Sequence, residues 1–398
     1  MDLLWMTNLY PKEIEDEIRK KQKFNMYDAA NELQWNLIDG FLQNPDCDSI
    51  RICNLLPVDS WPGYYKDVNV KKHLFSVDGK NESVSIPFCN IKFLKHKSIE
   101  SSYIKYFKKM CRNEIDLTVI LYSLNSTFLK AVKKVKKTNP NVKFVAIVAD
   151  LPQFTSTDKN VLRRIYKKKN VETINKRLPL LDGYVLLTEH MAEKLKITQP
   201  FVVMEGIAKK NPYRKLGLPK FKNKTIFYSG SLNKRYGIIH LLDAFSLIND
   251  EDYRLILCGM GDAEQEIIER AQKDLRIQFL GKLSHDEVLK YQCRATVLVN
   301  PRQNTEEYTK YSFPSKTLEY LASGTPVICY RLDGIPAEYE RYLVCPTDNN
   351  AEALADAIIE VSNMSDEFDT SAQISFVEQK NQTSQSNKIA SFINKIRR

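Results

Sequence analysis

Residues 311–328 read YSFPSKTLEYLASGTPVI, and this stretch decides the fold assignment of the chain. It predicts a loop, a short helix that begins near Ser315, a Gly-Thr-Pro turn and a buried strand. The start of a helix offers unpaired backbone N–H groups and the positive end of a dipole, which suit an anion such as a diphosphate. Glu319, inside the helix, can accept hydrogen bonds from sugar hydroxyls. The stretch therefore suits a nucleotide sugar, although an ordinary capped helix packed on a sheet fits it equally well.

Strands and helices alternate regularly through the second half of the chain. Strands are predicted at 225–229, 254–258, 277–280, 296–300 and 326–329, with helices at 238–248, 263–273, after Ser284 and at 314–323. The first half alternates less clearly, with strands at 50–58, 117–122, 142–149, 184–187 and 201–204 and helices at 31–42, 125–137 and 158–177. Alternation of this kind predicts parallel sheets covered by helices on both faces.

The length of 398 residues exceeds one compact core and predicts two domains. We expect an N-terminal Rossmann-like, acceptor-side domain over 1–208 and a nucleotide-sugar-binding domain over 225–374. Residues 209–224, rich in Lys, Pro and Asn, are the expected linker. A C-terminal helix over 375–398 could pack back onto the first domain.

The chain is basic, with a net charge of +10 and a pI near 9.0. Lysine and arginine cluster at 133–137 and 163–169, where they could meet an anionic membrane surface or form ordinary solvated helix faces. The eight cysteines include no Cys-x-x-Cys pair and predict free thiols in a reducing compartment. No apolar run is long enough for a transmembrane helix or a signal peptide. The expected location is the cytoplasm, with a peripheral position on the inner face of the membrane as an option.

Several predicted strands of the second half end in glycine. Gly230 and Ser231 follow the first strand, and Gly259 follows the second. Glycine tolerates positive φ angles and allows a ligand to approach the backbone closely. Ligands of open parallel sheets bind outside the carboxyl ends of the strands, so these turns are expected at one edge. Lys234 and Arg235, just beyond the first turn, could neutralise a diphosphate there.

The second half resembles the nucleotide-binding domain of the family-four group of retaining glycosyltransferases. The resemblance is carried by YSGSLNKRYGIIHLLDAF, LILCGMGD, IQFLGKLSHDEV and YSFPSKTLEYLASGTPVI. It covers residues 225–359 well and the first half only in outline. The last segment is the most specific and is similar to versions found in bacterial surface-polysaccharide glycosyltransferases. The resemblance implies an α/β protein of GT-B fold, in which two Rossmann-like domains with parallel sheets face each other across a cleft.

The resemblance also implies roles for individual residues. Glu319 matches the second glutamate of the family's E-x7-E motif, which holds the ribose hydroxyls. Leu283 matches the strand end that flanks the base, and Gly230 matches the glycine of the first phosphate-contacting turn. The loop whose backbone amides meet the diphosphate and the sugar is matched by Phe313, Pro314, Ser315, Lys316 and Thr317.

The sequence departs from the family pattern at several positions. Tyr311 stands where the first glutamate of the motif is expected, so the way the donor sugar is held is in question. The arginine and lysine that usually follow the first strand correspond to Ser231 and Tyr236. Lys234 and Arg235 are the proposed substitutes. The usual N-terminal double-glycine loop is also missing from the corresponding residues 27–31.

Asp150 is the candidate catalytic residue of the first half. It follows the predicted strand 142–149 in the segment ADLPQF and could contact the acceptor or the reacting sugar, although a turn aspartate fits the position equally well. Transfer with retention requires stabilisation of an oxocarbenium-like state and of the leaving diphosphate. Lys234, Arg235 and a helix N-terminus could supply the positive charge, so we expect neither a metal nor a cofactor beyond the nucleotide-sugar substrate.

The sequence therefore predicts a hexosyltransferase of bacterial cell-surface polysaccharide synthesis. Its donor would be a nucleotide diphosphate sugar, with UDP chosen on family frequency, and its acceptor a glycan or lipid-linked saccharide. A non-catalytic GT-B partner or scaffold of another glycosyltransferase is the alternative, which Tyr311 favours. A nucleic-acid-binding protein would need basic residues interleaved with exposed aromatics along one groove. The run IYKKKN offers a single instance, so no nucleic-acid partner is expected.

Overall fold

The structure, a computed structural model, describes residues 1–23, 26–112, 114, 116–154, 161–365 and 368–398, without the side chains of residues 161–163 and 166. The described residues form two compact units. The first consists of Met1–Glu205 together with Gln382–Arg398, and the second of Gly206–Asn381. Each unit is an α/β structure built on a largely parallel sheet, as the sequence predicted.

The first unit alternates strands with helices. Its strands are β1 (Asp2–Thr7), β2 (Ser49–Asn54), β3 (Asn69–Val70), β4 (His73–Phe75), β5 (Ser83–Ser85), β6 (Phe88–Cys89), β7 (Leu117–Tyr122), β8 (Lys143–Val148), β9 (Gly183–Leu186) and β10 (Phe201–Val203). Its helices up to residue 205 are α1 (Glu15–Lys21), α2 (Asp28–Leu42), α3 (Lys95–Met110), α4 (Ser126–Thr138), α5 (Val161–Asn175) and α6 (His190–Leu195).

One large sheet organises the first unit. Within the described residues it has eight strands in the order β10-β9-β8-β7-β1-β2-β5-β4, and β4 alone runs antiparallel to its neighbour. The apolar runs of β7 and β8 are buried on both faces, as expected of interior parallel strands. A separate hairpin pairs β3 with β6.

The sequence analysis assigned no element to the first residues of the chain, where the structure places the interior strand β1. Leu3, Leu4, Trp5 and Met6 are completely buried between β2 and β7. Their short apolar run lacks the flanking turn signals on which strand prediction depends. Helix α3 was missed for a related reason, since its lysine-rich sequence buries few apolar side chains.

The second unit follows the predicted alternation closely. Its strands are β11 (Lys224–Ser231), β12 (Tyr253–Met260), β13 (Ile277–Phe279), β14 (Val297–Asn300) and β15 (Val327–Cys329). Its helices are α7 (Ile238–Ser246), α8 (Glu264–Lys273), α9 (His285–Arg294), α10 (Ser315–Ser323), α11 (Ala351–Asn363) and α12 (Ser371–Glu378). Its strands form a parallel sheet in the order β13-β12-β11-β14-β15.

The chain returns to the first unit in helix α13 (Gln382–Arg397). There the Ser386 hydroxyl donates to the Leu37 carbonyl of α2 at 3.1 Å, beside Gly40, where a Cβ would lie only 2.3 Å from Ser386 Oγ. The segment predicted as one helix over 375–398 is thus divided between α12 and α13. Residues 209–224, the expected linker, lie within the second unit.

Two further expectations concern charge and location. The predicted helix over 158–177 corresponds to α5, whose described part begins at Val161, and residues 158–160 lie outside the described residues. The side chain of Arg163, in the predicted basic cluster 163–169, also lies outside the description. All eight cysteines are free thiols. Among the described helices, none combines the length and apolar character needed to cross a membrane.

Candidate functional site

The carboxyl ends of β11, β12 and β13 meet at one edge of the second unit. The backbone N–H of Leu232 donates to the carbonyl of Met260 at 2.9 Å. The N–H of Gly259 donates to the carbonyl of Gly281 at 2.8 Å. These bonds join the turns that follow the three strands. The glycine turns singled out from the sequence therefore lie side by side, where ligands of parallel sheets bind.

Two of these turns require glycine. Gly230 and Gly259 each have a φ of +139°, a backbone conformation that other residues rarely adopt. A Cβ at Gly259 would lie 1.7 Å from the carbonyl oxygen of Gly230. A Cβ at Gly230 would lie 1.9 Å from Cε of Lys316. The aliphatic stem of Lys316 therefore runs directly across the backbone of the first turn.

A pocket of about 420 Å³ opens at this edge. It is lined by Ser229, Gly230, Ser231, Cys258, Gly259, Met260, Lys282, Leu283, His285, Val288, Lys316 and Glu319. The structure thus brings together six residues of the predicted site, from four separate segments of the chain: Gly230, Ser231, Gly259, Leu283, Lys316 and Glu319. A pocket of this volume falls in the range of small-molecule sites.

Helix α10 supplies Lys316 and Glu319 to the pocket. It begins at Ser315 without a side-chain cap, and the N–H of Thr317 donates to the carbonyl of Pro314 at 2.8 Å. Phe313 is buried and packs its ring 5.2 Å from that of Tyr339, and Thr317 is also fully buried. The side chains of Phe313 and Thr317 therefore anchor the loop, so a ligand could reach only their backbone.

Helix α9 positions the carboxylate of Glu319. Its residue Gln292 is completely buried, and its side-chain amide donates to Glu319 Oε1 at 2.6 Å. The exposed ring of His285 lies on the other side, with Nδ1 3.9 Å from Glu319 Oε2. The hydrogen bond from Gln292 fixes the carboxylate of Glu319. The Glu319 side chain is partly exposed, so the carboxylate remains accessible from the pocket.

Two lysines provide positive charge in the pocket. Within the described part of the chain, the ammonium groups of Lys316 and Lys282 make no hydrogen bond or ion pair. Glu319 is the carboxylate among the described lining residues. The arrangement therefore offers uncommitted cations beside an oriented hydrogen-bond acceptor, which is the charge pattern that a sugar-linked phosphate requires.

The thiol of Cys258 at the back of the pocket is not a nucleophile. Burial raises its pKa to about 11, an effect that the charge of Glu319 reinforces and that of Lys316 opposes. The thiolate is the reactive form of cysteine, so a thiol with this pKa is inert near neutral pH.

Seven predicted nucleotide-sugar-binding residues lie outside the described lining of the pocket: Lys234, Arg235, Tyr311 and the loop residues Phe313, Pro314, Ser315 and Thr317. Lys234 and Arg235 form an exposed 3-10 turn after β11, where the Arg235 guanidinium donates to the Tyr236 hydroxyl at 2.9 Å. Tyr311 ends a 3-10 helix and donates its hydroxyl to Glu307 Oε1 at 3.2 Å. The cations in the described lining of the pocket are Lys316 and Lys282.

A buried arginine supports the loop before α10. Arg302 follows β14, stacks its guanidinium 4.5 Å above the Tyr308 ring and donates to Ser312 Oγ at 2.7 Å. Its Nε is buried without a hydrogen-bond partner in the described structure. Arg302 links the end of β14 to the segment that leads into Phe313. The sequence carried no signal for this role.

Asp150 lies in the first unit, after β8. Its carboxylate is accessible to solvent, yet the protein atoms packed around it desolvate it and raise its pKa. The pKa of the nearby Tyr122 phenol is raised well above its usual value, chiefly by burial and also by the negative charge of Asp150. A desolvated carboxylate at a strand end is compatible with the predicted catalytic role.

Sequence reasoning missed several residues of the pocket. His285 was visible only as part of a capping box, which the structure contains between Ser284 and Glu287. Lys282 was visible only as a neighbour of Leu283. Gln292 gave no signal, because its contact with Glu319 depends on how α9 packs against α10.

Comparison with known proteins places this geometry in a family context. The family model described as "Glycosyl transferases group 1" matches residues 223–364, which contain the whole lining of the pocket. The second unit contains a group 1 glycosyltransferase domain. This domain includes the strands β11–β15 and the helix α10 that supplies Lys316 and Glu319. No curated protein sequence gives a significant match to the chain.

Solved structures resemble the whole chain at low sequence identity. Sucrose-phosphate synthase from Thermosynechococcus elongatus has a TM-score of 0.64 and 14% identity, covering 100% of this chain and 99% of that one. An α,α-trehalose-phosphate synthase (UDP-forming) from Burkholderia vietnamiensis has a TM-score of 0.64 and 12% identity, covering 100% of this chain and 99% of that one. The pneumococcal O-GlcNAc transferase in complex with UDP and GlcNAc has a TM-score of 0.58 and 10% identity, covering 99% of this chain and 99% of that one. These likenesses confirm an α/β fold of the GT-B type with parallel sheets, and at such identity they bear on the fold alone.

Proposed function

We propose that this chain transfers a hexosyl group from a nucleotide diphosphate sugar to a glycan or lipid-linked saccharide. The observation that carries the proposal is the pocket of the group 1 glycosyltransferase domain, in which Lys316 and Glu319 stand beside the Gly230 turn. The choice of a UDP-sugar donor is supported by the O-GlcNAc transferase and the trehalose-phosphate synthase of the same fold, whose descriptions name UDP.

The diphosphate would lie against the glycine turns and the start of α10. The absence of a Cβ at Gly230 and Gly259 lets phosphate oxygens approach the backbone. The uncapped N–H groups at Ser315 and Lys316 form the positive end of the helix dipole, which attracts an anion. The Lys316 ammonium would add a charge-assisted hydrogen bond. In this role Lys316 replaces the arginine that the family carries at the position of Ser231.

The nucleoside would occupy the remainder of the pocket. Glu319, fixed by Gln292, would accept hydrogen bonds from the ribose hydroxyls. The apolar side chains of Met260 and Leu283 provide a wall on which a base could pack. Apolar walls with a few placed polar groups are typical of cofactor-sized sites.

The chemistry would be retention of configuration without a metal. The bond between the anomeric carbon and the diphosphate oxygen breaks, and the diphosphate leaves with the electron pair. The acceptor hydroxyl bonds to the same face of the sugar and gives its proton to the leaving diphosphate. Lys316 and the N-terminus of α10 stabilise the negative charge that develops on the leaving group. Asp150 of the first unit is proposed to contact the acceptor or the reacting sugar.

The biological setting is supported by the sequence resemblance alone. The segment YSFPSKTLEYLASGTPVI is similar to versions in bacterial surface-polysaccharide glycosyltransferases, which favours a cell-surface glycan as the product. A cytoplasmic location, where nucleotide sugars are made, fits the free cysteines.

A non-catalytic role as a GT-B partner is the second candidate. Tyr311 replaces the first glutamate of the motif, and its hydroxyl is engaged with Glu307. A partner protein would bind a nucleotide without turning over the sugar.

Thermal-shift screening against nucleoside diphosphates and their sugars, followed by a turnover assay, separates the two candidates. A ligand that binds the native state raises the unfolding temperature. Stabilisation followed by release of free nucleoside diphosphate from the sugar donor supports the transferase. Stabilisation without turnover across acceptor mixtures supports the partner, and no stabilisation by any nucleotide contradicts both.

A further inference from the structure

One surface of the first unit exposes large apolar side chains. Phe93 is 88% exposed and Leu94 is 54% exposed, immediately before helix α3. The segment next to them exposes three more: Trp61, Tyr64 and Val68. Exposed apolar residues are ordinary when scattered, whereas a contiguous group of them marks an interaction site. We call these five residues and the lysines between them the 61–97 surface.

Backbone pairing holds the two segments of the 61–97 surface together. The Trp61 N–H donates to the Asn90 carbonyl at 3.1 Å, and Trp61 forms a bridge with Ile91. The Asn90 N–H donates to the Val68 carbonyl at 2.7 Å. Asn90 is completely buried, and its amide also donates to the Asp59 carbonyl at 2.9 Å. Backbone hydrogen bonds therefore fix the segment that carries Trp61 and Tyr64 next to the segment that carries Phe93.

The same surface is positively charged. Its exposed lysines are Lys66, Lys71, Lys72, Lys92 and Lys97. Within the described residues none of the five makes an ion pair. The neighbouring carboxylates of Asp67 and Glu17 are both paired with Lys21, at 2.7 and 2.6 Å.

The start of helix α3 strengthens this charge pattern. The first turn of α3 contains Lys95, His96 and Lys97 and no acidic residue, and it has no side-chain cap. Basic side chains at the positive end of a helix dipole repel it. An anionic surface placed against this end would relieve the repulsion, which a neutral or cationic partner could not do.

We propose that the 61–97 surface docks on an anionic lipid bilayer. Phe93 and Leu94 would enter the boundary between headgroups and acyl chains, with Trp61 and Tyr64 at headgroup level. Each lysine near an anionic leaflet strengthens partitioning roughly fivefold. The combination of apolar insertion and charge gives the two signals that stable peripheral binding requires. The proposal does not depend on the transferase activity.

This surface differs from the basic cluster that the sequence suggested. In the described part of α5, Ile165 is the exposed large apolar side chain beside Lys167, Lys168 and Lys169. Binding through lysines alone depends on charge and is released by salt. Insertion of Phe93 and Leu94 adds an apolar contribution that salt does not screen, so binding through the 61–97 surface should depend less steeply on salt than binding through charge alone.

Flotation of the full-length protein with lipid vesicles tests the proposal. Vesicles of phosphatidylcholine and phosphatidylglycerol in equal parts are compared with phosphatidylcholine alone. The variant Phe93→Ser with Leu94→Ser removes the apolar insertion at exposed positions, where folding is not at stake. Leu275→Ser is the matched control, because Leu275 is equally exposed, at 88%, and lies in the second unit.

We expect the unaltered protein to float with the anionic vesicles and not with the neutral ones. Partitioning of the Phe93→Ser, Leu94→Ser variant onto anionic vesicles should fall by roughly tenfold or more, because two large apolar side chains no longer enter the bilayer. Leu275→Ser should float like the unaltered protein. Charge reversal of Lys92 and Lys97 should weaken binding more than reversal of Lys167 and Lys168.

Three results would overturn the proposal. The first is failure of the unaltered protein to float with anionic vesicles. The second is undiminished flotation of the Phe93→Ser, Leu94→Ser variant. The third is loss of binding on reversal at Lys167 and Lys168 with none at Lys92 and Lys97, which would assign the contact to α5. Each result concerns vesicle binding alone and leaves the proposed transferase activity to its own test.

Discussion

The buried amide of Gln292 donates a 2.6 Å hydrogen bond to the carboxylate of Glu319. Gln292 lies on α9 and Glu319 on α10, so the packing of these two helices sets the direction of the carboxylate. Glu319 is partly exposed, and its second oxygen lies 3.9 Å from Nδ1 of His285, which lines the same pocket. The contact therefore converts a flexible surface glutamate into a fixed hydrogen-bond acceptor, which is the property that binding of ribose hydroxyls requires.

Replacement of Gln292 should reduce the magnitude of the free energy of nucleotide binding more than it lowers the free energy of unfolding. Gln292→Leu fills a similar volume but leaves Glu319 without its positioning donor. We expect about a fivefold to tenfold loss of affinity for a nucleoside diphosphate, in line with the roughly 1 kcal/mol that one ordinary hydrogen bond contributes. Titration calorimetry measures the affinity. Gln265→Leu, which removes an exposed glutamine of α8 that bonds Glu269, is the control and should change nothing.

The first glycine turn gives a test of backbone geometry. Gly230→Ala would place a methyl group 1.9 Å from Cε of Lys316 and force alanine into a φ of +139°. The strained backbone should lower the free energy of unfolding by roughly 1–3 kcal/mol, and the displaced lysine should abolish diphosphate binding. Chemical denaturation and calorimetry report the two effects. Gly63→Ala is the control, since its Cβ meets nothing within 4 Å. Equal behaviour of the two variants would contradict the described packing of Lys316 on Gly230.

Asp150 gives a prediction about pH. Its raised pKa means that the folded protein holds a proton at a pH where the unfolded chain has lost it. The Asp150 contribution to stability is therefore complete below the unfolded pKa of about 4 and is lost as pH rises through the folded value. Asparagine does not ionise, so Asp150→Asn avoids the loss of stability that occurs when Asp150 becomes charged. The variant should therefore have a higher unfolding temperature than the unaltered protein at pH 7. At strongly acidic pH the two proteins should melt together.

The proposed catalytic role of Asp150 adds a second readout. Asp150→Asn should lower sugar transfer while leaving nucleoside diphosphate affinity unchanged, because the residue belongs to the first unit. A gain in stability at a cost in activity is typical of catalytic carboxylates. Full transfer activity in the stabilised variant would remove Asp150 from the mechanism.

Tyr311 tests whether a phenol can serve where the family has a carboxylate. If its hydroxyl binds the donor sugar, Tyr311→Phe should reduce turnover of the nucleotide sugar by about tenfold and leave binding of the free nucleoside diphosphate unchanged. Kinetic assays and calorimetry on the same preparation separate the two. Tyr106→Phe, a half-buried tyrosine of α3, is the control. Unaltered turnover in Tyr311→Phe would show that Tyr311 has no part in holding the sugar.

The sequence predicted much of the second unit because its signals are local. The strands and helices between β11 and α10 alternate with clear lengths, and glycines mark the strand ends. Gly230 and Gly259 could be grouped in advance, since parallel strands present their carboxyl ends at one edge. Lys316 and Glu319 were added from the predicted helix start and from the family resemblance. The rule required no knowledge of side-chain packing.

The remainder of the site depends on contacts that sequence spacing does not encode. Gln292 meets Glu319 only through the packing of α9 on α10, and Arg302 reaches Ser312 only through the path of the intervening loop. Lys234 and Arg235 were chosen for their position after β11, but a 3-10 turn carries them beyond the described pocket lining. Strand β1 was missed because its short apolar run lacks flanking turn signals, and only its pairing with β2 and β7 identifies it as an interior strand.

The most direct test of the central claim is calorimetric titration of nucleoside diphosphates into the unaltered protein and into Lys316→Met. The expected result is binding of one nucleoside diphosphate by the unaltered protein, with a loss of about tenfold to a hundredfold in Lys316→Met, because a charge-assisted hydrogen bond is removed. Lys273→Met, an exposed lysine at the end of α8, should bind like the unaltered protein. Equal affinity of Lys316→Met and the unaltered protein, or no binding by either, would contradict the assignment of this pocket to a nucleotide diphosphate sugar.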